Sequence, residues 1–249
     1  MRIKAIILAA GKGSRMRDGT QLPKVLREAN GKPILSYLLS ALDFIPPEDT
    51  TLVVGYMAES ICSEFPAYQT ALQEPQNGSG HAVQCALPLV TDASSVVVCY
   101  GDMPLISAET YMKVLSNHQR SGNTATLLAA RLKESNAYGR VEIDKDGRFT
   151  RIVEAKDDPI FDERGKDFYL YNAGSYVFEA SALESALKKL TNDNNQGEYY
   201  ITDVPAIIAE DGGTVGVVII DDGTEILGVN TPDDLRLVER ILLERQNAD

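Results

Sequence analysis

Short, largely apolar runs alternate with amphipathic segments along the first half of the chain. Strands that are apolar on both faces are typical of a parallel sheet covered by helices on both sides. The predicted strands are residues 3–8, 50–56, 68–73 and 94–100, and the predicted helices are 34–44, 57–65, 80–88 and 108–119. This pattern predicts an α/β fold with a Rossmann-like, mostly parallel sheet flanked by helices. Ligands of such folds bind at the carboxyl ends of the strands.

After residue 122 the pattern changes to short strands in succession. We expect strands at 124–131, 139–144, 148–154 and 168–178, a hairpin turn at 144–147, and helices at 180–190 and from Thr231 onward. Asn230 should then lie between a strand end and the N-terminus of the last helix. Because no linker-like tract divides the chain, we expect a single domain over residues 1–249. Its parts would be two halves, 1–122 and 123–230, and a terminal helix, 231–249.

Composition narrows the class of protein. The chain has 249 residues, 44% of them hydrophobic, and no apolar run approaches the roughly 20 residues that span a bilayer. The first apolar run, Ile3 to Leu8, leads straight into a glycine loop, so it predicts a strand and not a signal peptide. Three cysteines without a C-x-x-C pair indicate free thiols in a cytoplasmic protein. The net charge of −12 argues against nucleic acid as a partner.

Positive charge is concentrated near the N-terminus. Residues 1–32 carry 8 Lys and Arg against 2 Asp and Glu, whereas residues 33–249 carry 16 against 34. A positive segment on an acidic protein indicates a small polyanionic ligand. Four of these cations lie in the loop after the first strand: Lys12, Arg15, Arg17 and Lys24.

Gly11 and Gly13 in the same loop let the backbone turn sharply and present its N–H groups to an anion. The string is not a dinucleotide fingerprint, because Met16 replaces the third glycine of G-x-G-x-x-G, and the P-loop string is absent. Taken alone, the loop could equally be a tight turn with a solvated basic rim.

Asp102 follows the apolar strand that ends at Tyr100. A carboxylate at the carboxyl end of a strand is a typical Mg²⁺ ligand, since Mg²⁺ prefers hard oxygens and takes few of them from the protein. One aspartate would hold the ion weakly, so a second oxygen should come from a distant segment, and Asn230 is the candidate. On local sequence alone, both residues could instead be ordinary turn residues.

The string QEPQNGSGHA, residues 73–82, is a candidate for binding a base. The carboxamide of Gln73 can both donate to and accept from the edge of a pyrimidine. Gly78 and Gly80 would allow the base to lie against the backbone. The alternative is a polar loop before a helix, with His81 as a residue of the helix N-terminus.

In the second half, Glu154 and Asn172 offer an acceptor and a mixed donor and acceptor, which suit sugar hydroxyls. The alternatives are a surface carboxylate and a strand-end amide.

The motifs together resemble a known family. LAAGKGSRM, LPKVL, QNGSGHA, YGDMPL, YGR, IVEAKD, YNAG, NNQGEYYITD and GVN occur in the order found in the uridyltransferase domain of the bacterial N-acetylglucosamine-1-phosphate uridyltransferases. The resemblance extends over residues 3–235. It implies the fold of the nucleotidyltransferases that join a nucleoside triphosphate to a sugar phosphate, with a nucleotide-binding half at 1–122 and a sugar-binding half at 123–230.

The resemblance also implies roles for individual residues. Arg15 and Lys24 would contact the triphosphate and act with Asp102 in catalysis, while Asp102 and Asn230 would bind Mg²⁺. The implied nucleotide contacts are Leu8, Ala9, Ala10, Gly11, Gly13, Lys24, Gln73, Gly78, Ser79, Tyr100 and Gly101. The implied sugar contacts are Gly139, Glu154, Asn172, Tyr200 and Thr202.

By this resemblance, the expected reaction is Mg²⁺-dependent transfer of UMP from UTP to N-acetylglucosamine 1-phosphate, giving UDP-N-acetylglucosamine and pyrophosphate. One alternative is transfer to another sugar 1-phosphate, such as glucose 1-phosphate. Another is a non-catalytic sensor of UTP or a UDP-sugar, although a sensor has no need of a complete metal site. The expected partners are UTP and a sugar 1-phosphate, without nucleic acid or membrane.

The sequence departs from the family pattern in three respects. The segment RDGTQ after Met16 is longer than usual, and Ala155 stands where histidine is common after the glutamate. In addition, no hexapeptide repeats of a left-handed β-helix acetyltransferase domain are present. We therefore expect a stand-alone enzyme or an excised domain without acetyltransferase activity. As the β-helix assembles the trimer in that family, a monomer or weak dimer is expected.

Overall fold

The computed structural model describes residues 2–16, 22–132, 138–155, 157 and 169–247. Arg17, the RDGTQ segment and the first residue of the strand predicted at 168–178 lie outside the described residues. The strands are β1 (Ile3–Leu8), β2 (Glu28–Ala29), β3 (Lys32–Pro33), β4 (Thr50–Val54), β5 (Gln69–Leu72), β6 (Ser95–Tyr100), β7 (Ala125–Leu132), β8 (Arg140–Ile143), β9 (Phe149–Val153), β10 (Tyr169–Glu179) and β11 (Val215–Ile220). The helices are α1 (Ile34–Ala41), α2 (Ala58–Glu64), α3 (Ser79–Ala86), α4 (Ala108–Ser121), α5 (Ala180–Leu187), α6 (Val204–Glu210) and α7 (Pro232–Gln246).

Among the described residues, nine strands form one mixed sheet. Its main path has the order β11-β7-β10-β6-β1-β4-β5, and the hairpin of β8 and β9 joins it through β10. β6, β1, β4 and β5 run parallel, β11 runs parallel to β7, and β10 is antiparallel to both of its neighbours on this path. The mostly parallel sheet predicted from the sequence is confirmed. β10 comes from the second half of the sequence but pairs with β6 of the first, so both halves share one sheet.

The sheet is covered on both faces, because successive residues of a strand point in opposite directions. In β1, Ile7 packs in an apolar cluster with Leu35 of α1 and Tyr111 of α4. Its neighbour Ile6 packs in a second cluster with Val83 of α3 on the other side. This two-sided burial explains why the strands read as apolar at nearly every position.

Asn230 does not follow a strand directly, contrary to the sequence-based expectation. β11 ends at Ile220, and the segment Gly223–Ile226 forms a 3₁₀ turn. The Asp222 side chain caps this turn, because it accepts hydrogen bonds from the Thr224 N–H at 2.9 Å and from the Thr224 hydroxyl at 2.6 Å. Asn230 therefore lies in a loop between the turn and α7.

The structure bears on two expectations drawn from the composition: the absence of a membrane-spanning segment and the presence of free thiols. Among the described residues, no helix has both the length and the apolar character needed to cross a membrane. Cys62, Cys85 and Cys99 are free thiols, as expected, and Cys99 is fully buried in the core.

Candidate active site

The carboxyl ends of β1 and β6 bring two predicted ligand-binding segments together. The two strands are adjacent and parallel, with Leu8 in register with Tyr100. The Gly101 N–H donates to the Leu8 carbonyl at 2.9 Å, and a Cβ on Gly101 would lie only 3.0 Å from that oxygen. This close approach favours glycine, and it brings Asp102 next to the glycine loop.

The glycine loop, residues 9–16, is anchored to its surroundings at two points. Gly13 has φ +59°, and a Cβ there would lie 2.8 Å from Lys24 Cβ, so glycine satisfies both the backbone conformation and the packing. The Ala10 carbonyl accepts hydrogen bonds from the Tyr56 N–H at 3.2 Å and from Gln76 Nε2 at 2.6 Å. The loop is thereby tied to the segments that follow β4 and β5.

Four polar side chains from three distant segments meet at this edge of the sheet. Lys24 Nζ forms an ion pair with Asp102 and lies 3.2 Å from Asn230 Oδ1. Arg15 Nη2 donates to the same Asn230 oxygen at 2.9 Å. The Lys24 and Asp102 side chains are 15% and 17% exposed, so their pair is largely shielded from solvent. The structure therefore brings together the four residues predicted to act on the triphosphate and the metal.

Backbone hydrogen bonds explain how Asn230 reaches this cluster. The Val229 N–H donates to the Asp102 carbonyl at 2.9 Å, which fixes the loop before α7 beside the end of β6. Asp234 Oδ2 accepts from the N–H groups of Asn230 and Thr231 at 3.0 and 2.8 Å, and Thr231 Oγ1 accepts from the Asp234 N–H at 3.2 Å. This capping box satisfies the start of α7 without using the Asn230 side chain.

The oxygens of Asp102 and Asn230 fit a hard cation. Both contact the same ammonium group of Lys24, so they converge on one point at which a positive charge is already stabilised. Among the described residues there is no group of three or more His, Cys, Asp or Glu side chains that could hold a metal ion. A metal held by Asp102 and Asn230 would take one carboxylate and one amide oxygen from them, and such sparse protein coordination is typical of Mg²⁺.

A cleft of about 360 Å³ opens beside the glycine loop. It is lined by nearly all of the residues predicted to contact the nucleotide: Leu8, Ala9, Ala10, Gly11, Gly13, Lys24, Gln73, Gly78, Ser79 and Tyr100. The remaining predicted residue, Gly101, packs against β1 and is not among the described residues that line the cleft.

The wall of this cleft joins two strings that are distant in sequence. Gly80 N–H donates to the Tyr199 carbonyl at 2.7 Å, and Tyr199 N–H donates to the Asn77 carbonyl at 2.9 Å. Gly78 has φ +101°, and a Cβ there would overlap the Tyr199 carbonyl. Glycine at 78 is therefore required by the packing of QNGSGHA against NNQGEYYITD as well as by its own backbone conformation.

A second cleft, of about 330 Å³, adjoins the first. Tyr100 and Asp102 line both clefts. Besides Tyr100, the predicted residues that line the second cleft are Arg15, Asp102, Gly139, Glu154, Asn172 and Asn230.

The Asn172 side chain already forms two hydrogen bonds within the protein. Its Nδ2 donates to the Tyr176 hydroxyl at 2.7 Å, and its Oδ1 accepts from the Gly174 N–H at 3.2 Å. An amide has two N–H donors and two acceptor positions, so one of each remains for a ligand. Gly174 has φ +63°, and a Cβ there would overlap the Tyr100 ring, so the two clefts depend on glycine at this position.

Tyr200 lines a neighbouring cavity that shares Glu154 with the second cleft. Burial, reinforced by the Asp157 carboxylate and other nearby carboxylates, raises the pKa of Tyr200 to about 12. Asp203 lines the same cavity. Burial, with smaller contributions from the charges of Glu154 and Asp157, raises the pKa of Asp203 to about 6.

Thr202, an implied sugar contact, is not among the described residues that line either cleft. It is 2% exposed, and its hydroxyl has no hydrogen-bond partner among the described residues. The 3₁₀ turn Ile201–Asp203 buries the side chains of both Ile201 and Thr202, which explains why Thr202 lies in the interior.

Four polar residues that line the first cleft, Lys12, Ser14, Gln76 and Glu198, are absent from the predicted contacts. Gln76 and Glu198 lie within motifs that the sequence identified, but no local pattern distinguishes them from their neighbours. Lys12 was recognised only as one cation of the basic loop. Met103 and Ala173, which line the second cleft, are apolar and carry no chemical signal in the sequence.

The fold, the paired clefts and the cationic cluster between them define a nucleotidyltransferase. Comparison with known proteins agrees with this class: residues 5–201 match the MobA-like NTP transferase domain family, and the chain belongs to that family.

The chain is similar to two curated relatives that both carry the name bifunctional protein GlmU. The protein from Alkaliphilus metalliredigens is 37% identical over 246 residues, covering 98% of this chain and 53% of that protein. The protein from Geobacillus thermodenitrificans is 40% identical over 244 residues, covering 97% and 52%. The chain thus spans about half the length of the curated relatives it matches.

The fold is also similar to a solved structure, HddC from Yersinia pseudotuberculosis complexed with GMP-PN. The TM-score is 0.68 at 20% identity, with 97% of this chain and 100% of that chain covered. At this identity the likeness concerns the fold.

Proposed function

We propose that this nucleotidyltransferase transfers UMP from UTP to N-acetylglucosamine 1-phosphate with Mg²⁺ as cofactor and releases pyrophosphate. The observation that carries the proposal is the cluster of Arg15, Lys24, Asp102 and Asn230 at the junction of two clefts. The order of the sequence motifs and the similarity to proteins named GlmU support the choice of substrates.

The first cleft suits UTP. Lys24 and the N–H groups of the glycine loop bind and orient the triphosphate, and Arg15 approaches from the neighbouring cleft. Gln73 lies in the wall that would face the base.

The second cleft suits the sugar phosphate. Glu154 accepts hydrogen bonds from sugar hydroxyls, while Asn172 contributes its remaining donor and acceptor positions. Because Tyr100 and Asp102 are common to both clefts, the two substrates would meet beside them.

The reaction requires positioning and charge neutralisation more than proton transfer. An oxygen of the sugar phosphate forms a bond to the α-phosphorus of UTP, and the bond from that phosphorus to the β-phosphate oxygen breaks, releasing pyrophosphate. Since the nucleophile is already an anion, neither a covalent intermediate nor a general base is needed. When bound by Asp102 and Asn230, Mg²⁺ would supply positive charge that neutralises the phosphate oxygens.

A substrate panel tests the proposal. Pyrophosphate release is measured with Mg²⁺, each of four nucleoside triphosphates and several sugar 1-phosphates. We expect UTP with N-acetylglucosamine 1-phosphate to be the best pair, with at least about a tenfold preference over glucose 1-phosphate, the scale of one or two lost contacts. A preference for glucose 1-phosphate would reject the sugar assignment alone. UTP binding without turnover on any acceptor would favour a sensor.

A further inference from the structure

The amide of Gln73 is held in one orientation by two groups of the protein. Gln73 is 4% exposed and lines the first cleft. Its Nε2 lies 2.9 Å from the Gly78 carbonyl oxygen and 3.2 Å from His81 Nδ1. A carbonyl oxygen can only accept, so the amide atom facing Gly78 is the NH₂ group.

The Gly78 carbonyl is itself fixed by secondary structure. It also accepts from the Ala82 N–H at 3.1 Å, in the first turn of α3. Gly78 cannot be moved easily, because it packs against the Tyr199 backbone. The first hydrogen of the Gln73 amide is therefore directed at a rigid acceptor.

His81 accepts the second hydrogen. With Nε2 of Gln73 as donor, His81 Nδ1 must be the unprotonated nitrogen of the ring, and Nε2 carries the hydrogen. His81 Nε2 lies 3.8 Å from Cys85 Sγ, a weak acceptor, which is consistent with this tautomer. Both donors of Gln73 are thus used within the protein.

We propose that His81 is a specificity-determining residue, which positions Gln73 so that only its Oε1 acceptor is presented to the base. This inference rests on the proposed use of UTP. An acceptor matches N3–H of uracil but faces the lone pair of N3 in cytosine, so the arrangement selects UTP over CTP. From the sequence alone, the Gln73 amide could present either a donor or an acceptor to the base. The contact with His81 leaves only the acceptor, and His81 itself is not among the described residues that line the first cleft.

The test compares kcat/KM for UTP and CTP in the wild type and in His81→Leu, His81→Asn and Cys85→Ala. His81→Leu removes the acceptor, and we expect the ratio of UTP to CTP to fall at least about tenfold, the scale of one hydrogen-bond mismatch. His81→Asn keeps an acceptor oxygen near the position of Nδ1 and should retain most of the wild-type ratio. Cys85→Ala leaves the contact with Gln73 in place and should retain it as well.

The ratio separates positioning from a purely structural role, because a loosened helix would slow both nucleotides alike. If His81 acts through Gln73, adding His81→Leu to Gln73→Ala should not change the ratio further. An unchanged ratio in a folded His81→Leu protein, or a loss equal in His81→Asn and His81→Leu, would overturn the inference.

Failure of the proposed function gives a different result. If the wild type binds UTP without turnover, the same variants are compared by the ratio of dissociation constants for UTP and CTP, with the same expected changes. A wild type that does not discriminate between the two nucleotides in either measurement also overturns the role of His81.

Discussion

Replacing Asp102 with asparagine keeps the shape of the side chain and removes one negative charge from the cluster with Lys24 and Asn230. In the structure this carboxylate pairs with Lys24, and it is also the only charged oxygen proposed to hold Mg²⁺. The exchange should therefore have opposite effects on two properties. Turnover should fall, whereas binding of UTP without a metal should not weaken.

The structure sets the scale of both effects. Loss of one preorganised charge in a shielded site lowers turnover by at least about 100-fold, or about 2.7 kcal/mol. The Lys24 and Asp102 side chains are 15% and 17% exposed, so their contact is a shielded, charge-assisted hydrogen bond, of a kind that contributes about 1.5–3 kcal/mol. Releasing Lys24 from it should let UTP bind up to about tenfold more tightly in the presence of a chelator, or about 1.4 kcal/mol.

Steady-state pyrophosphate release measures the first effect, and titration calorimetry of UTP in EDTA measures the second. Asp221→Asn is a matched control, because Asp221 pairs with Arg131 at the surface and is 82% exposed. Near-normal turnover in a folded Asp102→Asn protein would refute the metal assignment. Weaker binding of UTP in EDTA would show that the Asp102 carboxylate and the triphosphate do not compete for Lys24.

Three further predictions concern other parts of the site. Arg15→Ala and Lys24→Ala should each impair turnover with UTP while changing the affinity for the sugar phosphate little; calorimetry with each substrate separately would expose a wrong assignment if Arg15→Ala affected only the sugar phosphate. Gly174→Ala should lower turnover and the midpoint of thermal unfolding more than Gly147→Ala, because both positions have positive φ but only at 174 would a Cβ overlap a side chain, that of Tyr100; equal effects would mean that the ring moves aside. For Asp203, the folded pKa of about 6 lies above the usual 3.8, so the folded state binds this proton more tightly. Its contribution to stability is fully present below about pH 4 and is lost as the pH rises through about 6. Asp203→Asn should therefore stabilise the protein relative to the wild type above pH 6 and less below pH 4 in thermal unfolding, and a pH-independent difference would contradict the raised pKa.

The central part of the fold could be predicted because its signals are local. β1 and β6 are buried on both faces, so they appear as continuous apolar runs, and the residues that follow them are small or polar. Once two strands are parallel and adjacent, their carboxyl ends must meet, and the proximity of the glycine loop to Asp102 follows from that rule.

Elements whose formation depends on distant partners were harder to predict. β11, Val215–Ile220, escaped prediction although it is apolar, and it completes the sheet by pairing with β7. The sequence indicated that Asn230 follows a strand end, but the 3₁₀ turn Gly223–Ile226 precedes its loop. A single capping aspartate, Asp222, decides in favour of a 3₁₀ turn, and burial decides the position of Thr202. Hydrophobic pattern does not encode either choice.

In the candidate site, too, the sequence predicted which residues take part but not which of their atoms are available to a ligand. That Gln73 and Gly78 belong to one ligand-binding wall could be inferred from their motif, but the hydrogen-bonding pattern that Gln73 offers could not. It depends on Gly78 and His81, which are brought within 2.9 and 3.2 Å of the amide by the first turn of α3. A sequence names the side chain, whereas only the packed structure determines which of its donors and acceptors remain for a ligand.

The contacts of Lys24 also bear on how a metal ion and a triphosphate would bind in the cluster between the two clefts. Lys24 contacts Asp102 and Asn230, the two residues whose oxygens fit a metal ion. A divalent cation and a triphosphate that arrive together would exchange partners with this pair: the metal would take the oxygens and the phosphates would take the ammonium group. Lys24 and Asp102 would then each face an opposite charge both before and after binding, which limits the desolvation cost of either state. Asn230 is suited to this exchange because its amide oxygen can accept from Arg15 and Lys24 or bind a metal without carrying a charge of its own.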